Sequence, residues 1–183
     1  MSKSLRLKFD KNQDYQLKAI SSVVDIFEGQ DKKHSSFSAF KNDLEVGTTY
    51  VNEGIGNKLD LKEVEILENL NNIQVRNGLT KSSRSDISKP YNFSVEMETG
   101  TGKTYVFTRT IFELNKNYGF RKFVIVVPSV AIREGIKKSL EITEKHFQEL
   151  YPGVGCKFFI YDSSKMNDIR NFATSSDYKH RCL

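Results

Sequence analysis

Apolar residues recur every three or four positions at Leu17, Ile20, Val24 and Phe27, a spacing that predicts an amphipathic helix. Asn12 or Asp14 is placed to cap it, and Gly29 to stop it. Leu59, Glu63, Ile66, Leu67 and Leu70 mark a second predicted helix over Leu59–Leu70. Between them, residues 30–58 carry Gly47, Gly54 and Gly56 among polar side chains and read as an irregular insertion. Residues 77–90, ending in Pro90, read as a polar linker.

The pattern changes after Pro90. Asn92 to Met97 alternates polar and apolar residues as a strand does, and a Gly-rich turn follows at Thr99-Gly100-Thr101-Gly102. A helix is predicted from Lys103 to about Asn117, with Val106, Phe107, Ile111 and Leu114 on one face and Gly119 to end it. Phe123 to Val127 is a continuous apolar run, the mark of a strand buried on both faces, closed by Pro128. Val130 to Leu150 predicts another helix, with Ile132, Ile136 and Leu140 four apart, and Lys157 to Tyr161 a third strand. Strand–helix–strand–helix–strand is the grammar of an α/β fold with a parallel sheet.

Composition narrows the class. The 183 residues include 13 Phe and 8 Tyr, enough aromatic mass to build a core, with only 11 Gly and 2 Cys. Collagen-like, disulfide-scaffold and fully disordered chains are thereby excluded. No apolar run approaches the length of a membrane span, and Met1 to Lys8 lacks the apolar core of a secretory signal. Cys156 and Cys182 stand far apart and read as reduced thiols, so a cytoplasmic location is expected. The net charge of +5 permits a polyanionic partner. Its excess gathers after the central motif, where residues 121–183 hold 11 Lys/Arg against 7 Asp/Glu.

That motif is Met97-Glu98-Thr99-Gly100-Thr101-Gly102-Lys103-Thr104, between a predicted strand and a predicted helix. It ends in Gly-Lys-Thr as a phosphate-binding loop does, with Met97 where the strict pattern asks for Gly. Gly100 and Gly102 let the backbone turn tightly and approach phosphate oxygens, and the helix adds its positive end. Lys103 can reach the β and γ phosphates, and Thr104 can offer its hydroxyl to Mg²⁺. The cofactors expected are ATP and Mg²⁺. The bland alternative is a Gly-rich turn that binds nothing.

Two further positions carry candidate chemistry. Gln16 on the first helix is either a solvated face residue or an amide that pairs with adenine N6 and N7. Ser129 is a helix N-cap, and Ser129 and Arg133 lie at the carboxyl end of a parallel strand, where α/β proteins bind ligands. There they can hold a nucleic-acid phosphate. Glu141, Glu144, Lys145 and Glu149 read as a solvated face, and Phe158 to Tyr161 as core. His34, His146 and His180 lack partner sets in the sequence and receive no role.

Phe93-Ser94-Val95-Glu96 leading into the loop, then Phe112-Glu113-Leu114-Asn115, then Val126-Val127-Pro128-Ser129-Val130-Ala131-Ile132-Arg133-Glu134-Gly135, resemble the restriction (Res) subunit of type III restriction–modification enzymes. Tyr15-Gln16, Tyr161-Asp162-Ser163 and Arg170-Asn171-Phe172-Ala173 fit the same family. The resemblance implies a superfamily 2 helicase-like ATPase with a RecA-like parallel sheet and flanking helices. It also implies duplex DNA and a methyltransferase (Mod) subunit as partners, no membrane, and Gln16 as the adenine reader. The expected organisation is a helical and irregular segment over 1–90, an incomplete first motor lobe over 91–176 and an atypical tail over 177–183.

The departures are as informative. The family's Asp-Glu pair, which holds Mg²⁺, has no counterpart after Lys103, and no second lobe or nuclease domain follows. Tyr178 to Leu183 does not read as the apolar strand the family would place next. The chain therefore reads as an N-terminal piece that binds ATP without turnover or DNA cleavage of its own. A piece of another superfamily 2 DNA or RNA helicase, or a non-catalytic nucleotide-binding module, are the rival readings.

Overall fold

The computed structural model describes residues 9–32, 57–87, 90–162, 164, 167–168, 172 and 179–182. The centre of the predicted insertion, with Gly47, Gly54 and Gly56, lies outside the described residues, as do His34, Ser163, Arg170, Asn171 and Ala173.

Helix α1 spans Asp14–Val24 and runs into a 3₁₀ turn at Asp25–Phe27 before Gly29 turns the chain with φ 89°. Its N-cap is Gln13, without a side-chain cap, and its buried residues are Gln16, Ile20 and Val24. Helix α2 spans Glu63–Arg76, six residues further at its C-terminal end than predicted. The extra length follows from Ile73, whose burial continues the stripe begun at Ile66. The predicted linker holds a 3₁₀ turn at Arg84–Asp86 and a buried Ile87. Helix α3 spans Lys103–Tyr118, opened by Gly102 and closed by Gly119, both in the left-handed region. Helix α4 spans Val130–Leu150, and Ser129 caps it by accepting from the Ile132 amide at 3.3 Å.

Helix α3 is the hub. Its Val106 and Leu114 pack with Ile20 and Val24 of α1 and with Phe120, while its Phe112 packs with Phe147 and Tyr151 at the end of α4. Facing two neighbours buries six of its residues. Next to the first cluster, Ile26 meets Leu61, Ile66, Ile73 and Ile87, with Tyr91 and Phe93 against them. Polar ties hold α2 to the end of α1. The Asn69 amide donates to the Ile26 and Glu28 carbonyls, and Arg76 pairs with Asp25 at 2.7 Å.

Three short strands, β1 at Lys122–Phe123, β2 at Gly155–Phe158 and β3 at Lys179–Cys182, pair in parallel in the order β1-β3-β2. Phe123 and Phe158 both lie level with Cys182. Three expectations change here. Asn92–Met97 forms no regular strand. The charged tail, expected not to be a strand, supplies the central one, because backbone pairing does not require apolar side chains. The run from Phe123 to Val127 is paired only at its start, and Val124 and Val126 are exposed. Its alternation thus packs one face while the other meets no covering element among the described residues.

Candidate functional site

The Gly-rich loop joins the extended chain ending at Met97 to the first turn of α3. Gly100 and Gly102 adopt φ 81° and 86°, which other residues take at a cost of about 1–2 kcal/mol. Around a Cβ placed on Gly100 there is open space, so this side of the loop can receive a ligand. A Cβ on Gly102 would lie 2.7 Å from the Gln16 amide nitrogen. The α3 ladder begins with the Val106 amide donating to the Gly102 carbonyl, so the amides of Lys103, Thr104 and Tyr105 point out of the helix end, without an acceptor among the described residues.

One long-range contact and three local ones hold the loop. Gln16, only 7% exposed, donates from Nε2 to the Thr101 carbonyl at 2.9 Å, across 85 positions of sequence. The solvated-face alternative for Gln16 is thereby overturned: α1 turns this residue inward, against α3. Thr101 Oγ1 donates to the Glu98 carbonyl at 2.7 Å. The Lys103 ammonium curls back to the Met97 and Glu98 carbonyls at 2.9 and 2.8 Å. A cation holding two neutral acceptors is ready to exchange them for anionic oxygens, which bind it more strongly. Thr99 lies on the exposed rim of the loop, and Thr104 is half-buried at the start of α3.

Ser129 and Arg133 stand apart from this loop, at the other helix start. Arg133 pairs with its neighbour Glu134 at 3.0 Å, and its side chain is 41% exposed. No contact among the described residues brings Ser129 or Arg133 to the Gly-rich loop. No group of three or more His, Cys, Asp and Glu among the described residues comes together as a metal site.

Between the two helices lies a polar network that sequence reasoning missed. The Tyr105 hydroxyl is 2.9 Å from His146 Nε2, and Phe9 stacks on the Tyr105 ring at 6.3 Å. Arg109 donates to the Lys11 carbonyl at 2.6 Å, and the Tyr151 hydroxyl donates to Glu113 at 2.6 Å. Burial pushes the Tyr151 phenol far up, helped by the Glu113 carboxylate. Burial holds the His146 imidazole below its ordinary value, with the Arg109 charge adding to it. The available signal was Tyr105, Arg109 and Glu113 at four-residue spacing, a polar stripe on a helix otherwise apolar on two sides.

The family model described as "Type III restriction enzyme, res subunit" matches residues 10–177. The EcoPI Res subunit of Escherichia phage P1 is 31% identical over 159 residues, which cover 86% of this chain and 15% of that protein. The EcoP15I Res subunit of Escherichia coli is 40% identical over 96 residues, 51% of this chain and 10% of that protein. The StyLTI Res subunit of Salmonella typhimurium is 50% identical over 62 residues, 33% of this chain and 6% of that protein. The chain thus spans about a seventh or less of the length of these relatives.

Proposed function

The chain belongs to the family of type III restriction enzyme Res subunits, and from that premise we propose that its Gly-rich loop binds the phosphates of ATP within a RecA-like first motor lobe. The observation that carries the reading is the loop itself. Gly100 leaves open space on one side, and among the described residues the Lys103 ammonium is held by two neutral carbonyls and the first amides of α3 have no acceptor. Thr99, Gly100, Thr101 and Gly102 would present backbone amides to the β and γ phosphates, and Lys103 would move onto their oxygens. Thr104 would give its hydroxyl to Mg²⁺, which the phosphates would share.

Gln16 is proposed to read adenine while it holds the loop. One amide hydrogen is committed to the Thr101 carbonyl. Its other hydrogen points to the Tyr15 hydroxyl at 3.4 Å, and would exchange that weak contact for N7 of the base while Oε1 accepts from N6. Ser129 and Arg133, with the positive end of α4, are proposed to hold a phosphate of duplex DNA. In the complete polypeptide this lobe would serve an ATP-driven restriction endonuclease that works in the cytoplasm with a methyltransferase subunit. No helix among the described residues is long and apolar enough to cross a membrane.

Binding is proposed without turnover. Phosphoryl transfer needs acidic metal ligands, a positioned water and usually an arginine, and no Asp-Glu pair follows Lys103 in these residues. The experiment is a titration of a fluorescent ATP analogue with Mg²⁺, competed by ATP and by GTP. Lys103→Ala is expected to weaken binding by roughly 10-fold or more, the size of a hydrogen bond to a charged group. Gln16→Ala is expected to erase any preference for ATP over GTP. Equal affinity of wild type and Lys103→Ala removes the assignment. Phosphate release that Lys103→Ala abolishes removes the statement about turnover.

A further inference from the structure

The segment that leads into α1 is held by α3 and α4. Phe9 lies against the Tyr105 ring at 6.3 Å and the His146 ring at 5.2 Å. Two residues on, the Lys11 carbonyl accepts from Arg109 Nη1 at 2.6 Å, across 98 positions of sequence. Arg109 is itself set from its other side. Its Nε donates to the hydroxyl of the buried Tyr151 at 3.4 Å, and that hydroxyl donates at 2.6 Å to Glu113, one turn along α3 from Arg109. A planar guanidinium fixed in this way has little rotamer freedom left to lose when it grips a carbonyl. A bond from a charged donor is also stronger than one between neutral groups.

Helix α1 needs such a grip at its start. Its N-cap Gln13 gives it no side-chain cap, and the Gln13 amide oxygen instead accepts from the Tyr15 hydroxyl. The apolar residues that bury α1, Ile20 and Val24, lie beyond its first turn, and the buried residue within that turn is Gln16. An uncapped first turn frays unless something outside the helix holds it. The Gln16 bond to the Thr101 carbonyl fixes one point of the amide, which can still pivot about it. Bidentate recognition of N6 and N7 needs the plane of the amide set as well. We propose that Arg109 is a positioning residue for base recognition: through the Lys11 carbonyl it fixes the first turn of α1, and so the plane in which Gln16 meets the base. The inference rests on Gln16 reading adenine, as proposed above. The phosphate-binding loop keeps its own contacts and does not depend on Arg109.

The test uses the full chain, with the fluorescent ATP analogue and Mg²⁺ competed by ATP, by GTP and by inorganic tripolyphosphate. Arg109→Ala, with its fold checked by circular dichroism, is expected to reduce the preference for ATP over GTP by roughly 5-fold or more, the lower end of what one bidentate base contact supplies. Its affinity for tripolyphosphate is expected to equal that of wild type, which a general loosening of the fold would not leave intact. In the Gln16→Ala background, Arg109→Ala is expected to leave the ATP-to-GTP ratio where Gln16→Ala alone puts it, because the two act in series. Phe9→Ala removes a half-buried ring from the same segment and is expected to lower the preference in the same direction. It carries the test should Arg109→Ala fail to fold. Where Gln16→Ala erases the preference, three results overturn the role of Arg109 and leave that of Gln16 standing: an unchanged preference in the folded variant, a parallel loss of tripolyphosphate affinity, or a further change of ratio in the double variant. A Gln16→Ala protein that keeps the wild-type preference removes the adenine reading itself, and the role of Arg109 falls with it.

Discussion

The chain has two helix starts of the same local design, and it holds them in different ways. At each, extended chain runs into a polar turn and then into a long helix, at Gly102 before α3 and at Ser129 before α4. The first turn is fixed from a distance, by Gln16 against Thr101 and by a helix buried on two sides. The contacts of the second among the described residues are with neighbours: Ser129 caps its own helix, and Arg133 pairs with Glu134. The buried residues of α4 begin only at Thr143, more than three turns along. Local sequence can thus specify a helix start, but its rigidity comes from contacts that cross the fold. A preorganised loop suits a small ligand such as a nucleotide, and an open one suits a long, mobile polyanion.

The largest effect that tests this contrast lies where α4 finally meets α3. Phe147 is 2% exposed and lies against the rings of Phe112 and Tyr105, with centroids at 5.0 and 5.3 Å. Phe147→Ala is expected to cost about 3–5 kcal/mol, as for other buried aromatic residues. A urea melt followed by circular dichroism measures it. A loss below 1 kcal/mol would mean that the two helices are not packed as described, and the hub role of α3 would fall with it.

Next come the two loop glycines, which share a backbone conformation but not a neighbourhood. Gly102→Ala must take a left-handed φ and displace a buried amide 2.7 Å away, for an expected cost of about 1–3 kcal/mol. It should also weaken nucleotide binding, because Gln16 loses its seat beneath the loop. Gly100→Ala has the same strain but open space around its Cβ, so about 1 kcal/mol is expected. Melts of the two variants beside wild type give the ranking. The reverse order would show that Gln16 does not support the loop in solution.

How much of this was legible beforehand differs between the same two regions. The Gly-rich loop and both helix starts were written in local sequence, because glycine conformation, capping and hydrophobic period act over a few residues. Gln16 was legible as a position but not as a buried one, since its partner carbonyl lies 85 positions away. The stretch from Val124 to Val127 misled for a related reason. β-branched residues in a row fit a strand covered on both faces, yet whether anything covers them is a tertiary fact. The tail misled in the opposite sense: Lys179-His180-Arg181-Cys182 has no apolar pattern in the sequence, yet its backbone pairs with both β1 and β2. His146 carried no motif, and only the packing of α4 on α3 brings it to Tyr105.

That histidine gives a pH test of the α3–α4 contact. Its imidazole is held below the ordinary value of about 6.5, so as pH falls the unfolded chain takes the proton first. The stability it contributes is full above that value, and is lost as pH falls from about 6.5 toward the lowered folded value. The groups facing it are Tyr105, Arg109, Lys11 and Glu149. Wild type is expected to lose more stability between pH 7.5 and 5.5 than His146→Asn does. Equal losses in urea melts across that range would show that His146 is not shielded by the contact.

The smallest expected effect lies on the open side. Val126 is 88% exposed, and Val126→Thr keeps its shape and strand preference while adding a hydroxyl. On a solvated face that hydroxyl meets water, and the change should stay within about 0.5 kcal/mol. Under a covering element it would lose its water without a partner, at a cost of about 1–3 kcal/mol. The same substitution therefore reports on whether the face is open. A urea midpoint equal to wild type over a range of protein concentrations supports the contrast between the two helix starts. Destabilisation that grows with protein concentration would place a second copy on this face, and the second loop would then be held by a partner and not by its neighbours alone.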